Sequence, residues 1–488
     1  MTVLPDTFAN TRMALQAAAH HHGDREAYVE PDARMTFVQW VSRAESAAAE
    51  FARLGVQKGD IVLLWLPSGI DYAVCYAGAA MIGAVTAGLN PRLGPTEIKA
   101  VIDQANPALI VADEQLAAIT AGDTAVVSRS SLHELYRTKR QAPMVDVGRT
   151  DPVAVLFSSG TTGVPKGAVF DADNLAAGAH AAGVMSAPYD RRLTSTPFAH
   201  AGYMFKLWDQ LLWGTTLVVP PAPWSAEGMA KVLVEERITV AGAVPTQWAK
   251  LLEVDGIDRN ALKDLRLGVV ASAPAAPELV ANVADRIGVP LVVRYAMTEC
   301  PTISGTEPGD PPEVQFHTVG RPAPGMQVRV RDGIVEVSGP CVMRGYWQRP
   351  ELTASVLQNG WLRTGDIGGI RDDGNVVITG RSDDTYIRGG FNVQPAEVEQ
   401  VLLAHPGVTD AVVVGHRTPV IGEIGVAFVA AGATPPSLAE LRAWVSARLS
   451  DYKAPDRLVV VDEIPRTALL KPDRKELRRR LSAELATD

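Results

Sequence analysis

The sequence predicts an α/β protein with a large N-terminal body and a smaller α/β unit after it. Three observations predict this. Up to Tyr295, short apolar runs alternate with stretches of helical spacing, the βαβα rhythm of parallel sheets clad in helices. From Gly320 to Ile378 the texture changes to short strands separated by Gly, Pro and Asp, which reads as antiparallel β in a small distorted barrel. After Gly380-Arg381-Ser382-Asp383-Asp384 the helix–strand alternation resumes and runs toward the end of the chain. At 488 residues the chain is long enough for two or more domains, and the division falls near Asp383, giving 1–382 and 383–488.

Each element has a local reason. Phe37, Trp40, Val41, Ala44, Ala48 and Phe51 share one helical face, so Thr36 to Leu54 is a helix. Gly59-Asp60 turns the chain into the apolar run Ile61–Trp65, a buried strand. Ala73 to Leu89 carries no charge, yet it is rich in Ala and Gly rather than Leu and only just reaches spanning length. A buried core helix is expected there, not a membrane span. A helix over Glu97–Ala105 and a strand over Ala108–Val111 follow. Further strands fall at Thr215–Val219, Val240–Val244, Leu267–Val270 and Leu291–Tyr295, with a helix over Ser225–Glu236. In the smaller unit, Ala396–Ala404 is a helix and Ala411–Val414 and Gly425–Ala430 are strands. Leu438, Leu441, Trp444, Val445 and Leu449 form the stripe of another helix.

Composition narrows the function. A formal charge of −9 argues against nonspecific nucleic-acid binding, which needs clustered cations. The one basic cluster, Arg474-Lys475 and Arg478-Arg479-Arg480, reads as a solvated helix face. Cys75, Cys300 and Cys341 are too scattered for a disulfide framework or a zinc site, and reduced thiols in the cytoplasm are expected. His20-His21-His22 reads as a solvated helix end. No basic segment followed by an apolar run opens the chain, so no signal peptide is expected.

One stretch carries chemistry. Ser158-Ser159-Gly160-Thr161-Thr162-Gly163-Val164-Pro165-Lys166-Gly167 combines glycines, small hydroxyls and one lysine. Glycines let backbone N–H groups face an anion, hydroxyls add donors, and lysine adds charge: a polyphosphate cradle. Apolar runs lie on both sides, Val153–Phe157 before and Gly167–Phe170 after. The loop therefore joins two strands rather than opening a helix as a P-loop does.

This stretch resembles the phosphate loop of the AMP-forming acyl-CoA synthetases, the adenylate-forming (ANL) superfamily that also holds luciferases and nonribosomal adenylation domains. Four further stretches follow in that family's order. Tyr295-Ala296-Met297-Thr298-Glu299 resembles the aromatic-Gly-x-Thr-Glu motif, and Trp361-Leu362-Arg363-Thr364-Gly365-Asp366 the Arg/Lys-Thr-Gly-Asp motif. Gly380–Asp384 with Gly389 through Glu399 matches the hinge motif, and Pro465-Arg466-Thr467 to Lys471 the terminal lysine motif. Any one alone is weak, but five in order across nearly the whole chain are specific. The resemblance implies a mobile C-terminal domain that carries the hinge and the catalytic lysine.

It also implies a reaction and its residues. A carboxylate attacks the α-phosphate of ATP, giving acyl-AMP and pyrophosphate, and the thiol of coenzyme A then displaces AMP. Two anions must meet, so charge neutralisation dominates. Lys471 is implied to bridge carboxylate and α-phosphate. Mg²⁺ is implied on Glu299 and phosphate oxygens, and Thr298 as a donor to the α-phosphate. Ser158, Ser159, Gly160, Thr161, Thr162, Gly163 and Lys166 are implied at the β- and γ-phosphates. Tyr295 is implied to stack on adenine, with Ala271, Ser272, Ala273, Ala296 and Met297 lining the nucleotide, and Asp366 and Arg381 to hold the ribose. Asp383 takes the hinge position, and Gly389, Gly390 and Phe391 line the CoA tunnel.

Pro197–Gly202 resembles the start of the family's acyl pocket, which puts His200 beside the carboxylate. Tyr203, Met204, Trp248 and Cys300 are expected around the acyl chain, and suit a medium-sized hydrophobic acid: medium-chain, alicyclic, aryl or steroid-derived. Lys206 is left open between a second polar group of the substrate and the surface. Two departures stand out: Leu470 replaces the Gly before the lysine, and Ala296 replaces a Gly near the acyl group. The expected partners are the acid, ATP and CoA, with no nucleic acid, no integral membrane span and, as an open option, a homodimer. Carrier-protein loading and a non-catalytic nucleotide-binding protein are the competing readings. Pyrophosphate release with and without CoA separates them.

Overall fold

The computed structural model describes residues 2–91, 93–114, 124–137, 140–159, 165–194, 196–270, 277–389, 391–418, 422–432, 434–467 and 471–485. The chain forms two compact units. One comprises Met1–Gln315, Val319–Val328 and Val337–Leu362, the other Phe316–Thr318, Arg329–Glu336 and Arg363–Asp488.

The first unit is built on two large sheets. In the seven-stranded sheet Val85–Gly88, Ile61–Trp65, Leu109–Ala112 and Ala125–Ser128 run parallel with Pro152–Ser159. The nine-stranded sheet has a parallel centre of Glu26–Glu30, Thr216–Val218, Arg191–Leu193, Val240–Ala243, Leu267–Val270 and Leu291–Met297. Antiparallel strands close both sheets toward one edge: Pro165–Asp171 on the first, Cys300–Gly305 on the second. These two hairpins carry the phosphate loop and the Thr298-Glu299 pair. Parallel strands covered on both faces need continuous apolar runs, and every residue of Ile61–Trp65 is buried.

The uncharged run Ala73–Leu89 falls in the helix Ile70–Met81 and the strand Val85–Gly88 that follows it. All residues of the helix are buried. Burial on every side, rather than lipid, accounts for the missing charges. At about 1.5 Å per residue the helix is far short of a bilayer core. Among the described residues no helix is long and apolar enough to cross a membrane.

Two of the bland readings are corrected. His20 and His21 are exposed, but His22 is buried, with Nε2 2.9 Å from the Leu211 carbonyl oxygen and its ring beside Phe37. Burial pushes its pKa below the ordinary value. The basic cluster is not wholly solvated either. Arg478, Arg479 and Arg480 face water, while Arg474 turns inward. The three cysteines are free and buried.

The strands expected between Gly320 and Ile378 belong to a five-stranded antiparallel sheet that includes Gln327–Arg331, Ile334–Ser338, Trp361–Ile370 and Val376–Arg381. The second unit adds a sheet of Phe391–Val393, Tyr386–Arg388, Gly422–Ala431, Val408–Thr418 and Arg457–Val461. Both long strands exceed the expected ranges, since polar residues such as His416 and Arg417 continue the pairing on the solvent side. Helices Pro395–Leu403 and Leu438–Ser446 close one core with Val398, Leu402, Leu441 and Val445. The terminal helix Arg474–Leu485 closes another with Leu477 and Leu481.

Candidate active site

In the first unit, the glycine-rich loop does join two antiparallel strands. Ser158 pairs directly with Lys166, and Ser159 with Pro165. The strand register thus holds a hydroxyl and an ammonium on either side of the loop mouth. Gly160, Thr161, Thr162 and Gly163 lie outside the described residues.

Thr298 and Glu299 form a two-residue turn, because Met297 pairs with Cys300. A tight hairpin pushes both side chains off the end of the sheet. Glu299 is then held by a residue the sequence did not single out. The Tyr346 hydroxyl donates to Glu299 Oε1 at 2.8 Å. Burial, with Glu299 second, raises the Tyr346 pKa, so the phenol keeps the proton it donates. Tyr346 pairs with Ala168, two residues beyond Lys166, in an extra strand beside the phosphate hairpin. Strand pairing therefore ties Lys166 and Glu299 to one neighbourhood, although 133 positions separate them.

His200 caps the short helix Ala201–Met204. Its Nε2 lies 3.0 Å from the buried Asn90 amide nitrogen. With the amide donating, Nε2 accepts and the neutral ring carries its proton on Nδ1. A Cβ on Gly88 would stand 2.6 Å from the Ala199 Cα, so the strand ahead of Asn90 runs backbone against backbone with the histidine turn. That contact requires glycine and fixes the Asn90–His200 pair.

The expected acyl-pocket residues are all buried. Tyr203 stacks on Phe198 at 3.6 Å between ring centroids, and its hydroxyl meets that of Tyr28 at 2.8 Å. The Met204 sulfur accepts from Tyr72. Trp248 donates to the Val269 carbonyl at 3.1 Å, at the end of the strand that leads to Ala271. Cys300 Sγ donates to the Thr302 carbonyl. Ala296 faces solvent, and Tyr295 and Met297 are half-buried. Ala271, Ser272 and Ala273 lie outside the described residues.

Lys206 is partly buried at the start of the helix Leu207–Trp213, with its Nζ shielded from solvent. Burial pushes its pKa below the ordinary lysine value. Asp209, one turn on, is fully buried, and is satisfied by Arg192 Nη1 and Ser186 Oγ, each at 2.6 Å. Burial alone would raise the Asp209 pKa, but the Arg192 and Lys206 charges outweigh it and hold the carboxyl below its ordinary value.

The second unit brings Asp366 and Arg381 together. They are cross-strand partners, with Arg381 Nη1 3.1 Å from Asp366 Oδ1. The Asp366 amide donates to Thr364 Oγ1, whose hydroxyl donates to the Val335 carbonyl. Asp383 is exposed in the turn after Arg381, a turn held by hydrogen bonds from Asp384 N and Thr385 N to Arg381 O. Gly389 has a φ of +57°, which glycine adopts without strain, and exposed Phe391 stacks on Tyr452. Gly390 lies outside the described residues. Lys471 is exposed, and its carbonyl accepts from Thr467 N at 2.7 Å.

Among the described residues no three His, Cys, Asp or Glu side chains cluster to hold a metal. Glu299 alone fits the role expected of the protein toward Mg²⁺, which takes one or two carboxylates and completes its shell with phosphates and water.

Residues 15–347 match the AMP-binding enzyme family, and residues 397–471 match the AMP-binding enzyme C-terminal domain. The long-chain-fatty-acid–CoA ligase FadD13 of Mycobacterium tuberculosis is 30% identical over 483 residues, covering 94% of this chain and 96% of that protein. A 3-[(3aS,4S,7aS)-7a-methyl-1,5-dioxo-octahydro-1H-inden-4-yl]propanoyl:CoA ligase of the same species is 33% identical, covering 95% and 97%. Among solved structures, o-succinylbenzoate CoA synthetase (MenE) from Bacillus subtilis with its acyl-adenylate intermediate superposes with a TM-score of 0.87. It is 26% identical, with 96% of this chain and 98% of that one covered.

Proposed function

The chain belongs to the AMP-binding enzyme family and is an AMP-forming acid–thiol ligase, and from that premise we propose how its residues divide the work and which acid it takes. The observation that carries the assignment of roles is the Tyr346 link, which ties the strand bearing Lys166 to Glu299.

The carboxylate oxygen of the acid attacks the α-phosphorus of ATP, and the bond to the β-phosphate oxygen breaks. Lys166, with the hydroxyls and amides of the loop, takes up the charge that grows on pyrophosphate. Thr298 donates to the α-phosphate. Mg²⁺ bound at Glu299 would supply Lewis-acid neutralisation of phosphate oxygens. His200, oriented by Asn90, positions the acid. Tyr295 stacks on adenine, and Asp366 accepts from the ribose hydroxyls beside Arg381. Lys471 supplies the positive charge at the point of attack. The thiolate of CoA then adds to the acyl carbonyl and AMP leaves. Division at 382/383, with the small domain rotating about Asp383, lets Lys471 withdraw and Gly389, Gly390 and Phe391 line the thiol path. The acid is hydrophobic and of medium size, a reading supported by the wholly buried apolar side chains that follow His200.

Pyrophosphate release across a panel of carboxylic acids, with and without CoA, tests this reading. Acyl-AMP that never becomes a CoA thioester would overturn the acceptor. No pyrophosphate with any acid would overturn the reaction.

Two variants test the assigned roles. Tyr346→Phe removes the hydrogen bond to Glu299 and leaves the ring. A hydrogen bond to a charged group is worth about 1.5–3 kcal/mol, so adenylation should fall roughly tenfold to a hundredfold, with a raised Mg²⁺ requirement. Unchanged magnesium titrations of pyrophosphate release would remove Tyr346 from the site. Asp383→Pro should spare acyl-AMP formation and impair thioester formation. An equal loss of both half-reactions would count against the hinge.

A further inference from the structure

Glu299 is held by its backbone as well as by Tyr346. The Met343 amide donates to the Glu299 carbonyl at 2.9 Å, and the Tyr346 hydroxyl donates to the Glu299 carboxylate. One short stretch, Met343 to Tyr346, therefore grips Glu299 at both ends. The same stretch is laid along the phosphate hairpin. Gly345 and Tyr346 pair with Val169 and Ala168, and the Arg344 amide donates to the Val169 carbonyl at 2.9 Å. The Trp347 amide donates to the carbonyl of Gly167, the neighbour of Lys166, at 2.7 Å. The spacing between Glu299 and Lys166 thus passes through this one segment.

Its strand is only Gly345–Tyr346, at the edge of the seven-stranded sheet, so side chains must anchor the rest. They come from the end of the phosphate hairpin. Asp171, the last residue of the strand that begins at Pro165, accepts from Arg344 Nε at 2.6 Å and Nη2 at 3.1 Å, a fork on a carboxylate that is only 2% exposed. Asp171 also caps the helix Ala172–Ala181, accepting from Asn174 N at 2.9 Å. Buried Asn174 completes the reciprocal cap and turns its amide to the carbonyls of Pro340 and Val342, at 2.7 and 3.1 Å. A cap needs only an acceptor, which an uncharged asparagine or serine supplies equally well. The charge on Asp171 is not required for the cap, and what it matches is Arg344. A carboxylate this deeply buried needs such a partner.

We propose that Asp171 and Arg344 are positioning residues for adenylation: their fork fixes the segment that sets Glu299, the carboxylate assigned to Mg²⁺, at its distance from Lys166, the cation assigned to pyrophosphate. This rests on the reading of the chain as an AMP-forming ligase with Glu299 toward the metal, and adds to it two residues that act only through Glu299. Partners one step behind a metal ligand hold its orientation, and losing them weakens metal binding while the ligand itself remains.

The test uses the full-length protein with Asp171→Asn and Arg344→Met combined, which keeps the cap and leaves no buried charge unpaired. Calorimetry without any acid compares ATP binding in Mg²⁺ and in EDTA. Mg²⁺ should tighten ATP binding to the wild type. In the double variant that gain should shrink about tenfold, while ATP affinity in EDTA stays within about twofold. Pyrophosphate release should need correspondingly more Mg²⁺, with KM for the acid unmoved. Thioester formation from supplied acyl-AMP should stay within about twofold, since that step no longer handles the pyrophosphate side of ATP. Arg344→Lys keeps a cation beside Asp171 but cannot fork, so it should show the same selective loss in smaller measure, and it decides the matter if the double variant is too unstable to assay. Equal losses in Mg²⁺ and in EDTA, or in both half-reactions, would make the fork a plain support of the fold and overturn the proposal. So would variants whose Mg²⁺ dependence matches the wild type. A wild type that binds ATP equally with and without Mg²⁺ would instead overturn the role of Glu299, and no pyrophosphate from any acid would overturn the ligase reading, in either case taking the proposal with it.

Discussion

Replacing Lys471 by alanine should lower the rate of acyl-AMP formation by about 10²–10³, the usual consequence of deleting one charge-stabilising group from a transition state. Thioester formation from supplied acyl-AMP should stay within a few-fold of wild type. The asymmetry follows from the chemistry. Only the first step brings two anions together, and only there is an extra positive charge worth most. The protein should otherwise tolerate the change. Lys471 is exposed, and the loop is closed by its backbone, through the Thr467–Lys471 hydrogen bond and the Arg466–Pro472 bridge. Pro472 disfavours the α conformation at Lys471 and keeps it extended whatever its side chain. Stability should therefore move by less than about 0.5 kcal/mol. Lys471→Arg should recover little, since a planar guanidinium does not replace a compact ammonium that must sit between two oxygens. Pyrophosphate–ATP exchange measures the first step and CoA thioester appearance the second. Equal losses in both would remove Lys471 from the role given to it.

Much of the scaffold was legible because it follows from local rules. The strand–loop–strand around Lys166 was visible in two apolar runs flanking a glycine-rich stretch, and the register confirms that the loop joins them. The Asp366–Arg381 pair is a cross-strand consequence of the same kind of pattern. What was not legible depends on contacts far apart in sequence. Nothing near Glu299 announces Tyr346, which strand pairing brings in, and nothing near His200 announces Asn90, which the close approach of Gly88 to Ala199 brings in. Other misses did have a signal. Lys206, which the sequence reading left open, stands in Met204-Phe205-Lys206-Leu207-Trp208, a run with no other polar residue, and its Nζ is shielded from solvent. Arg474 shares a helical face with Leu477 and Leu481 by its spacing of three and seven, and those two leucines are buried. Reading the basic cluster as one solvated face hid that register.

Replacing Arg474 by alanine should destabilise the second unit by about 3–5 kcal/mol, the cost of breaking a largely buried ion pair from one side. Arg474 Nη1 and Nη2 reach Glu399 Oε1 and Oε2 at 2.7 and 2.9 Å, a fork-to-fork pair. Nη1 also donates to the Val413 carbonyl at 2.7 Å, and Nε approaches Asp384 at 3.4 Å. One guanidinium therefore ties the terminal helix to the helix Pro395–Leu403, to the long strand Val408–Thr418 and to the turn beside Asp383. A cation at a helix N-terminus opposes the helix dipole, so this placement makes sense only through its partners. With Arg474 gone, Glu399 keeps the hydrogen bond from Val413 N, and its carboxylate, 14% exposed in the intact pair, loses its matched cation. Glu399→Ala should cost a similar amount, whereas the pair replaced together by Met and Leu should lose far less than the two single losses combined. Thermal unfolding should then show the second unit melting ahead of the first, as two transitions where the wild type shows one or a narrower pair. Below that first transition, acyl-AMP formation should already be slowed, because Arg474 lies three residues from Lys471 and sets where its loop leaves the helix. A single-residue change that left both the melting profile and the first half-reaction untouched would mean that the terminal helix is held by Leu477 and Leu481 alone, and that the position of Lys471 owes nothing to this ion pair.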